Sequence, residues 1–252
     1  MKILRRKEVE EIINSARSGE EELNFRQVNL QMAKFLSGQV LIGADFSGAD
    51  LSEADLRMAN LRQASLNGAI MRRIDLSQAE LSQANFTGAD LSEADLSEAN
   101  IEGALLRRTN LRAANLSGVN FRRASLNGAN LSEANLSGVD LKEASLAGAY
   151  LGLTIFSMAD ISHADLRWAQ LNEANLAQAD LRQSDLRWAN LAGAKLQQAD
   201  LTEADLSWSN LSEADLTQAN LTRAKFNGAK YNHQTKWPAN FDPAQTEAVA
   251  EV

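Results

Sequence analysis

From Ala44 to Tyr231 the chain repeats one five-residue phrase, A-(D/N)-L-x-x, without an insertion. Stepping by five from Phe46 gives 38 consecutive central residues, 29 of them Leu and the rest Phe, Ile, Met or Tyr. The residue two before the centre is Ala in 31 units and Ser, Thr, Val or Ile in the others. This period excludes an α-helix. At about 100° per residue, positions five apart drift by about 140°, so the apolar set spirals and leaves no stripe to bury. A strand alternates its faces, so A-D-L-S reads in, out, in, out. The fifth residue breaks the alternation, and the chain must turn a corner there. Ten of the 14 glycines fall two after a central residue, as Gly48, Gly68, Gly88, Gly128 and Gly148 do. That is where the second central residue of a type II turn needs a positive φ.

Four such corners close a coil of 20 residues. The sequence supports this length separately, because ADLRW at 164–168, SDLRW at 184–188 and ADLSW at 204–208 recur at that offset. Successive coils then stack as parallel strands about 4.8 Å apart, and nine and a half coils make a rod roughly 45 Å long. The tube is narrow, with room for one large apolar residue and one small one per side. Each buried Leu contributes on the order of 2 kcal/mol. A looser stretch centred on Phe25, Leu30 and Phe35 precedes the run, and one extra residue near Val40 shifts the frame.

Bare parallel edges at the two ends invite aggregation and need covers. In RRKEVEEIINSARS (5–18), Val9, Ile12, Ile13 and Ala16 share one helical face, and Gly19 is a plausible stop. The expected organisation is an amphipathic capping helix within 1–22, the repeat rod over 23–231 and a capping tail over 232–252. The tail carries Trp237 and Phe241 for the last coil, and is expected to fray after about Ala244.

The run of A-(D/N)-L-x-x units resembles the pentapeptide repeat family. EVEEIINSARSGEEELNFRQVNL and YNHQTKWPANFDP are similar to termini common in its cyanobacterial members. The resemblance spans roughly residues 20–243. It implies an all-β solenoid, a right-handed quadrilateral β-helix with a short N-terminal capping α-helix; the handedness comes from the resemblance. On function it implies less. The family includes proteins that bind DNA gyrase by mimicking duplex DNA, and others that affect heterocyst patterning, and the repeat alone selects neither role.

Catalysis needs a pocket and a reactive constellation, and a filled tube built from uninterrupted pentads offers neither. His163 and His233 lie more than three coils apart and read as surface residues. With no cysteine and no clustered histidine, a transition-metal site lacks its usual ligands. No catalytic, cofactor-binding or metal-binding residue is therefore expected, and the chain is not expected to be an enzyme. The charged N-terminus gives no secretory signal and no apolar run is long enough to span a membrane, so a cytoplasmic protein is expected. The net charge of −8 argues against binding naked nucleic acid.

Positions 20 apart should stack into surface columns. Glu53, Arg73 and Glu93 suggest a salt-bridge ladder. Asp140, Asp160, Asp180 and Asp200 form one acidic column and Asp165, Asp185 and Asp205 another; these read either as the ordinary Asp/Asn preference of the repeat or as a strip resembling a phosphate backbone. Residues 101–139 interrupt the acidity with Arg107, Arg108, Arg112, Arg122 and Arg123.

The least ordinary column holds Trp168, Trp188 and Trp208, where most other levels have glycine. Arg167 and Arg187 adjoin the first two. Tyr150, Leu153, Ile155 and Met158 occupy positions that are normally polar, and together with the tryptophans they suggest an apolar patch on one flank. The indoles either cover a corner structurally or form a contact for a partner, since Trp and Arg are enriched in binding hot spots. The leading functional expectation is a structural or interaction protein that presents a rigid surface to an unidentified protein partner. The alternative is binding of gyrase or another DNA-handling enzyme through the acidic faces. Covered ends favour a monomer.

Overall fold

The computed structural model describes residues 1–19 and 22–250. Its backbone is a four-sided β-helix. Parallel bridges join residues 20 apart without interruption from Val40↔Asn60 to Asn210↔Lys230, so the coil is 20 residues and each side is one pentad.

One pentad shows how the amides are satisfied. Ala89 N–H donates to the Phe86 carbonyl (2.9 Å) and closes the turn, while Asp90 N–H donates to Ala69 of the preceding coil (2.9 Å). Leu91 and Glu93 N–H donate to Asn110 and Arg112 of the following coil (2.7 and 3.0 Å). The fifth, Ser92 N–H, points away from both coils and donates to Oδ1 of Asp90 (3.1 Å). No backbone donor of this pentad is left over, as buried backbone requires. This last bond explains the Asp or Asn of the motif, whose short side chain accepts from the amide two residues on. It recurs at Asp45, Asp75, Asn115 and Asp180.

The corners are type II in character: in Leu51–Ala54, Ala54 N–H donates to Leu51 (3.0 Å) and Glu53 takes φ +59°. Glycine is favoured at this position but not required, because Gln, Glu, Arg and Trp adopt the same left-handed conformation at most corners. Inside, the central residues and the small residues two before them form one continuous core, and Leu51, Leu91, Leu131, Leu171 and Leu211 are at most 1% exposed.

The first coil corrects the expected frame. Early bridges are offset by 21 (Asn24↔Asp45, Asn29↔Asp50), whereas Val40↔Asn60 is already regular. Leu36, not Phe35, fills the central place and is fully buried, while Phe35 is only half-buried. The extra residue therefore lies between Ala33 and Leu36 and not near Val40. Two adjacent apolar residues made either frame possible, and the register of the coil above selects Leu36.

Both ends are covered. A two-residue strand β1 (Lys2–Ile3) runs parallel to β2 (Val28–Asn29). The helix α1 (Arg6–Ser18) buries Val9 and Ile13 against the core. Glu8 accepts from Arg5 N–H (2.9 Å) at its start and Gly19 closes it at φ +78°. At the other end Trp237 packs on Phe226, Tyr231 and Phe241 with ring centroids 5.0–5.7 Å apart. Beyond Ala244, where the sequence suggests fraying, the chain continues into two short elements. A 3-10 turn (Pro243–Gln245) leads into β4 (Val249–Ala250), which pairs in parallel with β3 (Lys230–Tyr231). The exposed backbone edge of the last coil supplies the pairing groups. The part of the expected fraying that falls on 251–252 lies outside the described residues.

Candidate partner surface at the tryptophan corner

One of the four corners carries Trp168, Trp188 and Trp208 on successive levels. Each takes a positive φ (57–64°), which turns its side chain outward. Their exposures are 52, 50 and 53%. Trp188 and Trp208 stack at 5.1 Å with planes 7° apart, while Trp168 carries the Cζ of Arg167 5.4 Å from its ring centroid. Gly228, one level on, leaves room for Trp208: a Cβ there would lie 2.6 Å from Cε3 of the indole. Gly148, one level below Trp168, faces open space, since nothing lies within 4 Å of the corresponding point. From Gly48 to Gly228 the column is thus glycine wherever it is neither aromatic nor Arg108.

The arginines are held by the acidic column beside them. Arg167 Nε and Nη2 donate to the two oxygens of Asp165 (2.8 and 2.7 Å) and Nε also approaches Asp185 (3.6 Å). Arg187 grips Asp185 in the same way (2.8 and 2.6 Å). The Arg167 guanidinium holds the Asp165 carboxyl below the usual carboxylate range, against the upward push of partial burial. Arg182 does the same to Asp180. The two acidic columns are therefore partly neutralised, at Asp165, Asp185 and Asp180, by arginines two residues after the aspartate. The basic segment is partly spent too: Arg112 pairs with Glu133 (2.7 Å), Arg122 with Asp140 (3.2 Å) and Arg123 with Glu143 (2.9 Å). Of the expected Glu53–Arg73–Glu93 ladder, Arg73 reaches Glu53 alone.

The expected single apolar flank does not form. Tyr150 (56% exposed) sits beside the tryptophan corner, bridged to Asn130 below and Gln170 above. With Arg108 and Gly128 it borders a shallow groove at the glycine levels. Leu153 (53% exposed) and Ile155 (40%) belong to the next corner. Met158 (64% exposed) is ten residues from Trp168, half a coil away, on the opposite corner. Each five-residue step turns the chain by a quarter, so residues close in sequence travel around the rod and only those 20 apart align.

Sequence reasoning missed the far end of the surface. An open groove of about 620 Å³ lies against Trp188 and Trp208 and is completed by Asn227, Gly228, Glu247 and Val249. The last two come from the tail strand, outside the repeat. The one available signal was Gly228, a glycine directly above the last tryptophan in the column. Among the described residues no helix is long and apolar enough to cross a membrane. No group of three or more His, Asp or Glu is placed to hold a metal among them.

Compared with known proteins, the chain matches the model for pentapeptide repeats (8 copies) over 36–68, 69–108, 104–142, 134–169, 169–207 and 199–230. The comparison with curated proteins finds no match. Among solved structures, one similar chain is HetL, a pentapeptide repeat protein involved in heterocyst differentiation regulation from the cyanobacterium Nostoc sp. strain PCC 7120. The two are 37% identical over 88% of this chain and 95% of HetL, with a TM-score of 0.44. Rfr23, a pentapeptide repeat protein from the cyanobacterium Cyanothece 51142, is 27% identical over 55% of this chain and 90% of its own (TM-score 0.33). Full-length QnrB1, a plasmid-mediated fluoroquinolone resistance protein, is 20% identical over 81% of this chain and 93% of its own (TM-score 0.39).

Proposed function

The chain belongs to the pentapeptide repeat family, and from that premise we propose that it is a non-catalytic scaffold that presents its tryptophan corner to a protein partner. One observation carries this reading: three successive levels hold indoles in line, each about half exposed (50–53%), on a corner that is glycine at most other levels. Large aromatics left in water on an ordered backbone bury area on binding at little conformational cost, and Trp and Arg dominate interface energetics. The filled interior supports a surface role over an enclosed active site.

The DNA-mimic alternative meets two obstacles. Its acidic columns are interrupted by Asp-bound arginines, and residues 101–139 carry five arginines against two acids. Gyrase supercoiling assayed with micromolar protein should proceed uninhibited; inhibition would restore that reading. The test of the leading one is affinity capture from a lysate of the source cell, comparing wild type with Trp168/Trp188/Trp208→Ser. A partner held by wild type and lost by the variant is expected. The same partners held by both would leave the indoles as corner covers.

A further inference from the structure

Three levels of the tryptophan corner carry the same phrase with one change at its third position: Asp165-Leu166-Arg167-Trp168, Asp185-Leu186-Arg187-Trp188 and Asp205-Leu206-Ser207-Trp208. In the first, the guanidinium is seated twice over, forked onto Asp165 and laid against Trp168. In the second it is forked onto Asp185. In the third the arginine is replaced by Ser207, which is buried and too short to leave the corner. Asp205 accepts the Ser207 N–H (3.0 Å), and its cation is Lys225, a single loose contact at 3.7 Å.

The open groove of about 620 Å³ lies where that third arginine would be. Its walls are Trp188 and Trp208, and Asp205 and Glu247 add carboxylates. Arg187, also on the wall, has its charge matched by Asp185. Glu247 is exposed and has no ion-pair partner among the described residues. The groove therefore offers aromatic surface and unspent negative charge, on a chain whose net charge of −8 attracts basic partners at long range.

We infer that this groove receives an arginine side chain from a basic segment of the partner protein, laid against Trp208 and held by Asp205 and Glu247, as Arg167 is laid against Trp168 within the chain. The inference rests on the tryptophan corner being the partner's contact, and it supplies the chemistry of that contact. A guanidinium is planar, stacks on an indole and forks onto a carboxylate, whereas an ammonium does neither as well. Arginine is therefore preferred over lysine.

The full chain, with its tryptophan indoles labelled with nitrogen-15, is titrated with a blocked hexa-arginine peptide and with the matching hexa-lysine peptide. Expected are saturable shifts of the Trp188 and Trp208 indole signals and binding at least about tenfold weaker for lysine. Ser207→Arg seats an arginine from within the chain, at a position where the two preceding levels already accommodate one, and should abolish the arginine response. Glu247→Gln should weaken it several-fold. Equal affinity for the two peptides, an undiminished response in Ser207→Arg, or no shift at millimolar peptide overturns the inference. Failure here is separable from failure of the underlying reading. A lysate partner lost by the triple Trp variant but retained by Ser207→Arg leaves the corner as a contact and removes the arginine; loss by both supports the two together.

Discussion

Replacing Ser209 by alanine should stabilise the rod, whereas the same replacement at Ser184 should not. Both serines stand where the repeat usually has Ala, and both side chains are buried, Ser209 fully and Ser184 to 2% exposure. Their hydroxyls differ in hydrogen bonding. The Ser184 hydroxyl donates to the Leu181 carbonyl at 2.7 Å, while the Ser209 hydroxyl has no hydrogen-bond partner. Taking an unpaired hydroxyl out of water costs about 1–3 kcal/mol, and a made hydrogen bond returns about 1 kcal/mol. Alanine at 209 removes the penalty, keeps the methylene that fills the corner and leaves the backbone bond from Ser209 N–H to Leu206 (3.1 Å) in place. The expected gain is about 1–2 kcal/mol for Ser209→Ala, against a loss of about 0.5–1.5 kcal/mol for Ser184→Ala. Urea unfolding followed by circular dichroism reads this as a higher midpoint for the first variant and a lower one for the second, with unchanged slopes. A Ser209→Ala midpoint at or below wild type, or equal gains for both variants, would refute the reasoning.

Further perturbations separate corner from core. Gly148→Ala and Gly228→Ala both place a side chain at φ +65°, a cost of about 1 kcal/mol. Only Gly228→Ala also collides with an indole, so its thermal midpoint should fall further and Trp208 emission should shift. Leu36→Ala should cost about 2–5 kcal/mol and Phe35→Ala less than half of that, because Leu36 fills the first coil; equal losses in urea unfolding would reverse the frame. Asp165 and Asp180 have folded pKa values lowered chiefly by hydrogen bonds from Arg167 and Arg182. Their stabilisation is present above the unfolded carboxylate value near pH 4 and is lost as pH falls through the lower folded values. The urea midpoint should therefore drop on acidification below about pH 4, and less steeply in Arg167→Gln/Arg182→Gln.

Period and polarity made most of the rod legible. Only a corner every five residues places every Leu and Ala inside, and the offset-20 recurrence of the tryptophan phrase marks the coil length. The remainder depended on geometry that the period does not carry. Phe35 and Leu36 are equally good core residues, so only the register against the next coil separates them. The Asp or Asn of the motif reads as surface charge in sequence, yet where it is present its acceptor oxygen closes the last open amide of the pentad. Met158 lies ten residues before Trp168 in the chain and half a coil around the rod in space. Glu247 and Val249 belong to a tail with no period, and their place beside Trp208 follows from a strand that adds to the last coil.

The most direct test of the tryptophan corner is hydroxyl-radical footprinting of the chain alone and with its captured partner. Met58 and Met158 are equally exposed, at 64%, on the corner opposite the tryptophans and serve as internal controls. Trp168, Trp188, Trp208 and Tyr150 should lose reactivity in the complex while both methionines keep theirs. Protection of the methionines with the indoles unchanged would place the partner on the other side of the rod and contradict the account.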